Sequence, residues 1–138
     1  MNPFYNFFRK NEALPVNICC SEEDFHQKLK IECKRSAYNE QEFSLVLLKL
    51  NAARSGQEKR IRKLIRKIHH RIRDIDIIGR YDTESIGVIM PYTSEEGAKG
   101  FLHKILGAIS ELKNDVEFTL FKYYPDAETP EKIQSKPM

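Results

Sequence analysis

The hydrophobic positions of this 138-residue chain change their spacing along its length, and each change marks an element. Phe25, Leu29 and Cys33 recur every four residues behind Ser21-Glu22-Glu23-Asp24. A serine caps a helix start well and acids suit the positive end of its dipole, so a helix is predicted from Ser21 to about Ser36. From Phe43 to Asn51 the chain is almost continuously apolar, the pattern of a strand buried in mid-sheet. Ser55-Gly56 breaks the run. Ile61, Leu64, Ile65, Ile68 and Ile72 then follow the i, i+3, i+4, i+7, i+11 pattern of an amphipathic helix. Ile75–Tyr81 and Ser85–Pro91 read as two strands with room between them only for a hairpin turn. Ser94-Glu95-Glu96 opens another helix, whose stripe is Ala98, Phe101, Leu102, Ile105, Ile109 and Leu112. Val116–Tyr123 alternates as a last strand. The tail from Pro125 holds three of the six prolines and is expected to lack regular structure.

After the first helix the order is β-α-β-β-α-β. Helical crossovers that pack on one face, plus one tight hairpin, give a four-stranded ferredoxin-like α+β palm preceded by an N-terminal helix. Phe43–Leu50 and Ile75–Ile78 are expected at the sheet centre, with Ile61, Leu64, Ile65 and Ile68 packed against it. The chain divides into an arm over 1–20, a domain over 21–125 and a tail over 126–138. That architecture hosts many activities and implies none.

Composition narrows the class. With 41% hydrophobic and 31% charged residues the chain reads as globular, and no apolar run is long enough to span a membrane. The net charge of +3 is unevenly spread: Gln57 to Arg73 holds eight Lys/Arg and one Glu, a local +7, which leaves −4 elsewhere. This basic helix is either a solvated face or a surface for an acidic partner. Its lack of interleaved aromatics argues against nucleic acid. Three cysteines, two of them adjacent (Cys19, Cys20), give no disulfide framework and no metal spacing, which points to the cytoplasm. His69-His70 diverge by about 100° on a helix and do not share one ion easily. His26 and His103 lack ligand partners, so no metal and no cofactor are expected. Phe4, Tyr5, Phe7 and Phe8 stand before Arg9-Lys10, an aromatic arm that either packs on the domain or docks a partner.

The stretch Arg73-Asp-Ile-Asp-Ile-Ile-Gly-Arg-Tyr-Asp-Thr-Glu-Ser-Ile-Gly-Val-Ile-Met-Pro91 resembles the signature region of GGDEF domains, the diguanylate cyclase family. Arg73, Asp76, Arg80, Tyr81, Val88 and Pro91 fall at that pattern's offsets, and Thr93–Ala98 is similar to the family's next helix start. The resemblance covers about residues 21–125 and implies the same β-α-β-β-α-β palm.

Its departures bear on chemistry. The five signature positions are Asp82, Thr83, Glu84, Ser85 and Ile86, so two glycines and one acid are replaced. Where the family's first strand ends in Asp-x-Asp, this chain has Lys49-Leu50-Asn51. An ammonium repels a cation, and magnesium on phosphates needs several carboxylate oxygens. The guanine-reading loop is compressed to residues 52–56, and the family's last helix has no counterpart. The resemblance therefore implies a domain without cyclase activity and without catalytic residues, unless a partner supplies the missing half-site.

Arg73 and Asp76 fall where the family keeps an Arg-x-x-Asp site for cyclic di-GMP. An arginine fork donates to guanine O6 and N7 and an aspartate accepts from guanine N–H groups. Arg73 is expected at the helix C-terminus, Asp76 at the next strand's start, and Arg80 adds charge for a phosphate. The same two residues also suit a purely structural helix-end pair. The sequence thus points to a cyclic di-GMP receptor or, in the other class, to a regulatory adaptor that binds a protein partner and no nucleotide.

Overall fold

Ser21 and Ser94 cap the first and third helices: Ser21 Oγ accepts from the Asp24 amide at 3.0 Å and Ser94 Oγ from the Gly97 amide at 3.1 Å. The computed structural model describes residues 17–19, 21–51, 57–112, 115–124 and, as backbone, 131–137. Helix α1 (Glu22–Asn39) runs past the expected end at Ser36. It stops where Glu40 turns left-handed at φ 55°, while the Ser36 hydroxyl donates to the Gln41 carbonyl. Strand β1 (Phe43–Leu50), helix α2 (Gln57–His69), strand β2 (Ile77–Arg80), strand β3 (Ser85–Pro91), helix α3 (Glu95–Ala108), a 3-10 turn (Ser110–Leu112), strand β4 (Val116–Tyr123) and strand β5 (Glu131–Pro137) follow.

The strands form one antiparallel sheet in the order β2-β3-β1-β4-β5. The expected palm is its first four strands. Alternation sorts β1 between two cores. Val46, Leu48 and Leu50 meet Ile61, Leu64, Ile65 and Ile68 of α2 and the stripe of α3. Phe43 and Leu45 meet Phe25 of α1 on the other face. Gly79 and Gly87 are cross-strand partners, and together they seat that helix. A Cβ on Gly87 would lie 2.5 Å from Phe25 Cζ, and one on Gly79 would lie 2.8 Å from Cys19 Cβ.

Three expectations change. Ile75–Ile78 is not at the sheet centre: β2 starts at Ile77, ends the sheet at one edge, and leaves Ile75 half exposed. The turn made by Arg73 and Asp76 takes up Ile75, and β3 fills the place beside β1. Asn17–Cys19 lies along the outer edge of β2, with Cys19 N donating to Ile78 O and Ile78 N to Asn17 O, both at 2.9 Å. The tail is not all irregular, since Glu131–Pro137 pairs with β4. Pro137 stands at its end and no proline interrupts residues 131–136, so the ladder keeps its donors. Finally, α2 stops at His69, and Arg73 lies beyond the helix rather than in its last turn.

Candidate functional site

The end of α2 is closed by Arg71, whose amide donates to Ile68 O at 2.8 Å and whose Nη1 donates to Lys67 O at 2.7 Å. The chain then turns through Arg73–Asp76. Asp76 Oδ2 accepts from the Arg73 amide at 2.8 Å, and Arg73 O accepts from the Asp76 amide at 3.0 Å. The side chains close on the same pair. Arg73 Nε donates to Oδ1 and Oδ2 at 3.1 and 3.2 Å, and Nη2 to Oδ1 at 2.7 Å. Nη2 also reaches Pro91 O at 3.0 Å and Thr93 Oγ1 at 2.6 Å. Hydrogen bonding to Asp76 makes the guanidinium hold its proton more tightly than usual.

Burial is unequal within the pair: the Asp76 side chain is 1% exposed and that of Arg73 is 49% exposed. The arginine therefore carries a buried carboxylate's charge to the surface. It opens there onto a cavity of about 350 Å³ with Arg71 and Lys104 at its rim and Met90 and Phe101 in its lining. Gly97 and Gly100 of α3 also line it, and a Cβ on Gly100 would meet open space. Three cations, apolar surface and open space beside α3 give this cavity the chemistry that an aromatic anion would need.

The loop that holds Arg73 is fixed from behind. Thr93 Oγ1 donates to Pro91 O at 3.0 Å, and Thr93 O accepts from Ser44 Oγ at 2.9 Å and from Lys122 Nζ at 3.1 Å. Lys122 is itself buried and pairs with Glu42 Oε1 at 2.7 Å. Arg71, Lys104 and Lys122 escape a reading by motif, and Thr93 was legible only as part of a helix start. One signal for Lys104 was present: it stands one turn beyond Phe101, on the flank that Gly97 and Gly100 leave smooth.

Arg80 is not brought to this cavity. It lies at the other end of β2, where Nη1 donates to Glu58 Oε1 at 2.6 Å and Nη2 to Thr83 O at 2.8 Å. Its guanidinium is buried under the first turn of α2 and is in no position to meet a phosphate beside Arg73.

The signature positions form the hairpin expected between β2 and β3. Tyr81 N donates to Ser85 O at 2.9 Å, and Asp82 Oδ1 accepts from the Glu84 amide at 2.8 Å. Ser85 and Ile86 are buried in β3, while Asp82 and Thr83 are exposed. Lys49 Nζ stands 3.7 Å from Glu84 Oε2, so an ammonium sits against the one acid kept at the third signature position. Asn51 N donates to Asp115 O at 2.9 Å.

Among the described residues no three His, Cys, Asp or Glu side chains group as metal ligands. His69 bonds Asn17 Oδ1 at 3.0 Å and His26 bonds Tyr81 O at 2.8 Å. Cys19 is buried, and burial followed by the charge of Glu32 pushes the Cys33 thiol up. The aromatic arm, Cys20 and residues 52–56 lie outside the described residues. No helix among the described residues is long and apolar enough to cross a membrane.

No protein-family model matches the sequence, and no curated protein matches it. Solved structures match by fold. A DGC protein from Thermotoga maritima superposes with a TM-score of 0.63 at 16% identity, over 76% of this chain and 84% of that one. The GGDEF domain of DgcB from Caulobacter crescentus, in complex with c-di-GMP, gives 0.69 at 15%, over 87% and 79%. LapD from Vibrio cholerae, an S helix-GGDEF-EAL chain bound to c-di-GMP, gives 0.60 at 16%, over 80% of this chain and 29% of that one. At such identities the likeness is one of architecture. The chain has the fold of a GGDEF domain.

Proposed function

We propose that this GGDEF-fold chain is a cyclic di-GMP receptor that does not synthesise its ligand, and that the ligand binds at Arg73, which Asp76 holds in place, and in the cavity before it. The observation that carries the proposal is the arginine's half-exposed guanidinium, held in place by Asp76, Pro91 and Thr93 at the mouth of a cavity with two further cations. A preorganised donor loses little freedom when a ligand arrives. Nη1 makes no hydrogen bond among the described residues and is the donor left for a guanine edge. Asp76, whose oxygens already accept from Arg73, acts here as the arginine's anchor rather than as a second reader. Arg71 and Lys104 then face the ligand's phosphates. At the opposite end of the sheet, Lys49 against Glu84 offers no carboxylate pair for magnesium, which supports a domain that binds without making cyclic dinucleotide.

The alternative, a protein-binding adaptor without nucleotide, draws on the same geometry: Asp76 is sealed, and a sealed pair also serves to fix a turn. Isothermal titration with cyclic di-GMP, GTP and GDP separates the two. Saturable heat with the cyclic dinucleotide alone, weaker at higher salt and roughly ten- to a hundredfold weaker in Lys104→Ala with Arg71→Ala, is the expected result. No heat with a folded protein leaves the adaptor reading. Cyclic dinucleotide formed from GTP and magnesium would overturn the loss of synthesis.

A further inference from the structure

Building on the receptor reading, we infer that the cavity before Arg73 selects its ligand by hydrogen-bond acceptors alone. It prefers a purine that carries an oxo group and is blind to the exocyclic amino group that distinguishes guanine from hypoxanthine.

The oxygens at the mouth of the cavity are already occupied. A carbonyl or carboxylate oxygen has two lone pairs with which to accept. Asp76 Oδ1 accepts from Arg73 Nε and Nη2 at 3.1 and 2.7 Å, and Oδ2 from the Arg73 amide and Nε at 2.8 and 3.2 Å. Pro91 O accepts from Arg73 Nη2 and from Thr93 Oγ1, both at 3.0 Å. Thr93 O accepts from Ser44 Oγ at 2.9 Å and from Lys122 Nζ at 3.1 Å. Thr93 Oγ1 gives its proton to Pro91 O, accepts from Arg73 Nη2 at 2.6 Å, and is buried with its residue. Inside α3 the carbonyls of Gly97 and Gly100 face the amides one turn on. The Asp76 side chain is sealed besides, so no movement of a ligand brings a donor to it.

Donors remain open at the same place. Arg73 Nη1 makes no hydrogen bond among the described residues, although Nε and Nη2 of the same guanidinium are fully engaged. Arg71 donates from its side chain through Nη1, to Lys67 O. Lys104 is exposed at the rim and has no hydrogen bond or ion pair among the described residues. Met90 and Phe101 supply apolar surface, which any purine covers equally well.

This imbalance decides which base fits. Guanine presents O6 and N7 side by side as acceptors, whereas adenine sets an amino donor where the oxo group would be. Toward Arg73 Nη1 the oxo group makes a charge-assisted bond, and the amino group places donor against donor. The N–H groups on guanine's other edge need acceptors, and Asp76, Pro91 and Thr93 have none to offer. That edge therefore faces water, where its amino group adds nothing to binding. Hypoxanthine, which keeps O6 and N7 and lacks the amino group, meets the same donors.

Competition against a fluorescent cyclic di-GMP on the full chain tests this with cyclic dinucleotides that differ only in their bases. Cyclic di-IMP should match cyclic di-GMP within about threefold, and cyclic di-AMP should bind roughly ten- to a hundredfold more weakly than either. A larger loss on removing the amino groups, with cyclic di-GMP still bound, would overturn the inference and leave the receptor reading intact, because an acceptor must then read guanine's N–H groups. Cyclic di-AMP bound as tightly as cyclic di-GMP would also overturn it, since the site would then hold phosphate and ignore the base. Failure of all of them to bind would overturn the receptor reading and this inference together.

Discussion

Two ion pairs at opposite ends of the sheet stand in contrasting surroundings. Where β3 ends, Asp76 is buried, and Arg73 meets it with three side-chain contacts while also reaching Pro91 and Thr93. Where β3 begins, Lys49 and Glu84 face one another at 3.7 Å with 56% and 38% of their side chains exposed. A buried carboxylate without its partner is strongly unfavourable, whereas an exposed pair competes with water and gains little. The first end has a rigid cation over a cavity; the second has a loose pair in a hairpin. Preformed geometry belongs with the buried pair, and an acid set against an ammonium in an exposed hairpin is not by itself a site.

Removing each partner in turn tests that contrast. Arg73→Ala leaves Asp76 buried with the backbone amide as its donor and should cost about 3 kcal/mol in urea unfolding. A loss under about 1 kcal/mol would mean that water replaces the guanidinium, and the two ends would then be alike. This instability is the reason the binding test uses Arg71 and Lys104 rather than Arg73. Lys49→Ala and Glu84→Ala should each change stability by less than about 1 kcal/mol, and their double-mutant coupling should be smaller still. A large coupling would show that the hairpin end is as well fixed as the other.

The smallest effect concerns His69, which lies between the two ends and holds Asn17. Burial, and then the neighbouring His70, lower its proton affinity in the folded chain. The unfolded chain therefore binds this proton more readily. The resulting stability is present above the ordinary histidine value of 6.5 and is lost as pH falls below it. His69→Gln should flatten that part of the stability curve in urea melts taken from about pH 7.5 to about pH 5. An unchanged slope would assign the acid sensitivity to other groups.

Much of the fold was legible because its signals are local. Ser21 and Ser94 sit where helices need acceptors, and Ile61, Leu64, Ile65 and Ile68 repeat at the helical period. The apolar run in β1 reflects burial on both faces, by α1 on one side and by α2 and α3 on the other. The candidate site was legible only in part. Arg73 and Asp76 were placed by their distance from Arg80-Tyr81, yet Arg80 itself proved to belong to the opposite end of the strand. Spacing along a strand says which face a side chain takes but not which distant loop awaits it.

The sequence by itself determined the element order from α1 to β4, the two helix starts, the split of charge between α2 and the remainder, and the presence of Lys49 and Ser85 where the resemblance expects acids. All of these depend on residue type and on neighbours within a few positions. Tertiary structure decided that Asp76 is sealed, because Pro91 and Thr93, which hold its arginine, come from eighteen and twenty residues beyond Arg73. It also decided that β2 is an edge, that residues 131–137 add a strand, and that Lys122 is buried against Thr93 and Glu42. Those outcomes depend on which backbone donors and acceptors meet after the sheet has assembled, and no local pattern of hydrophobic and polar residues records that meeting.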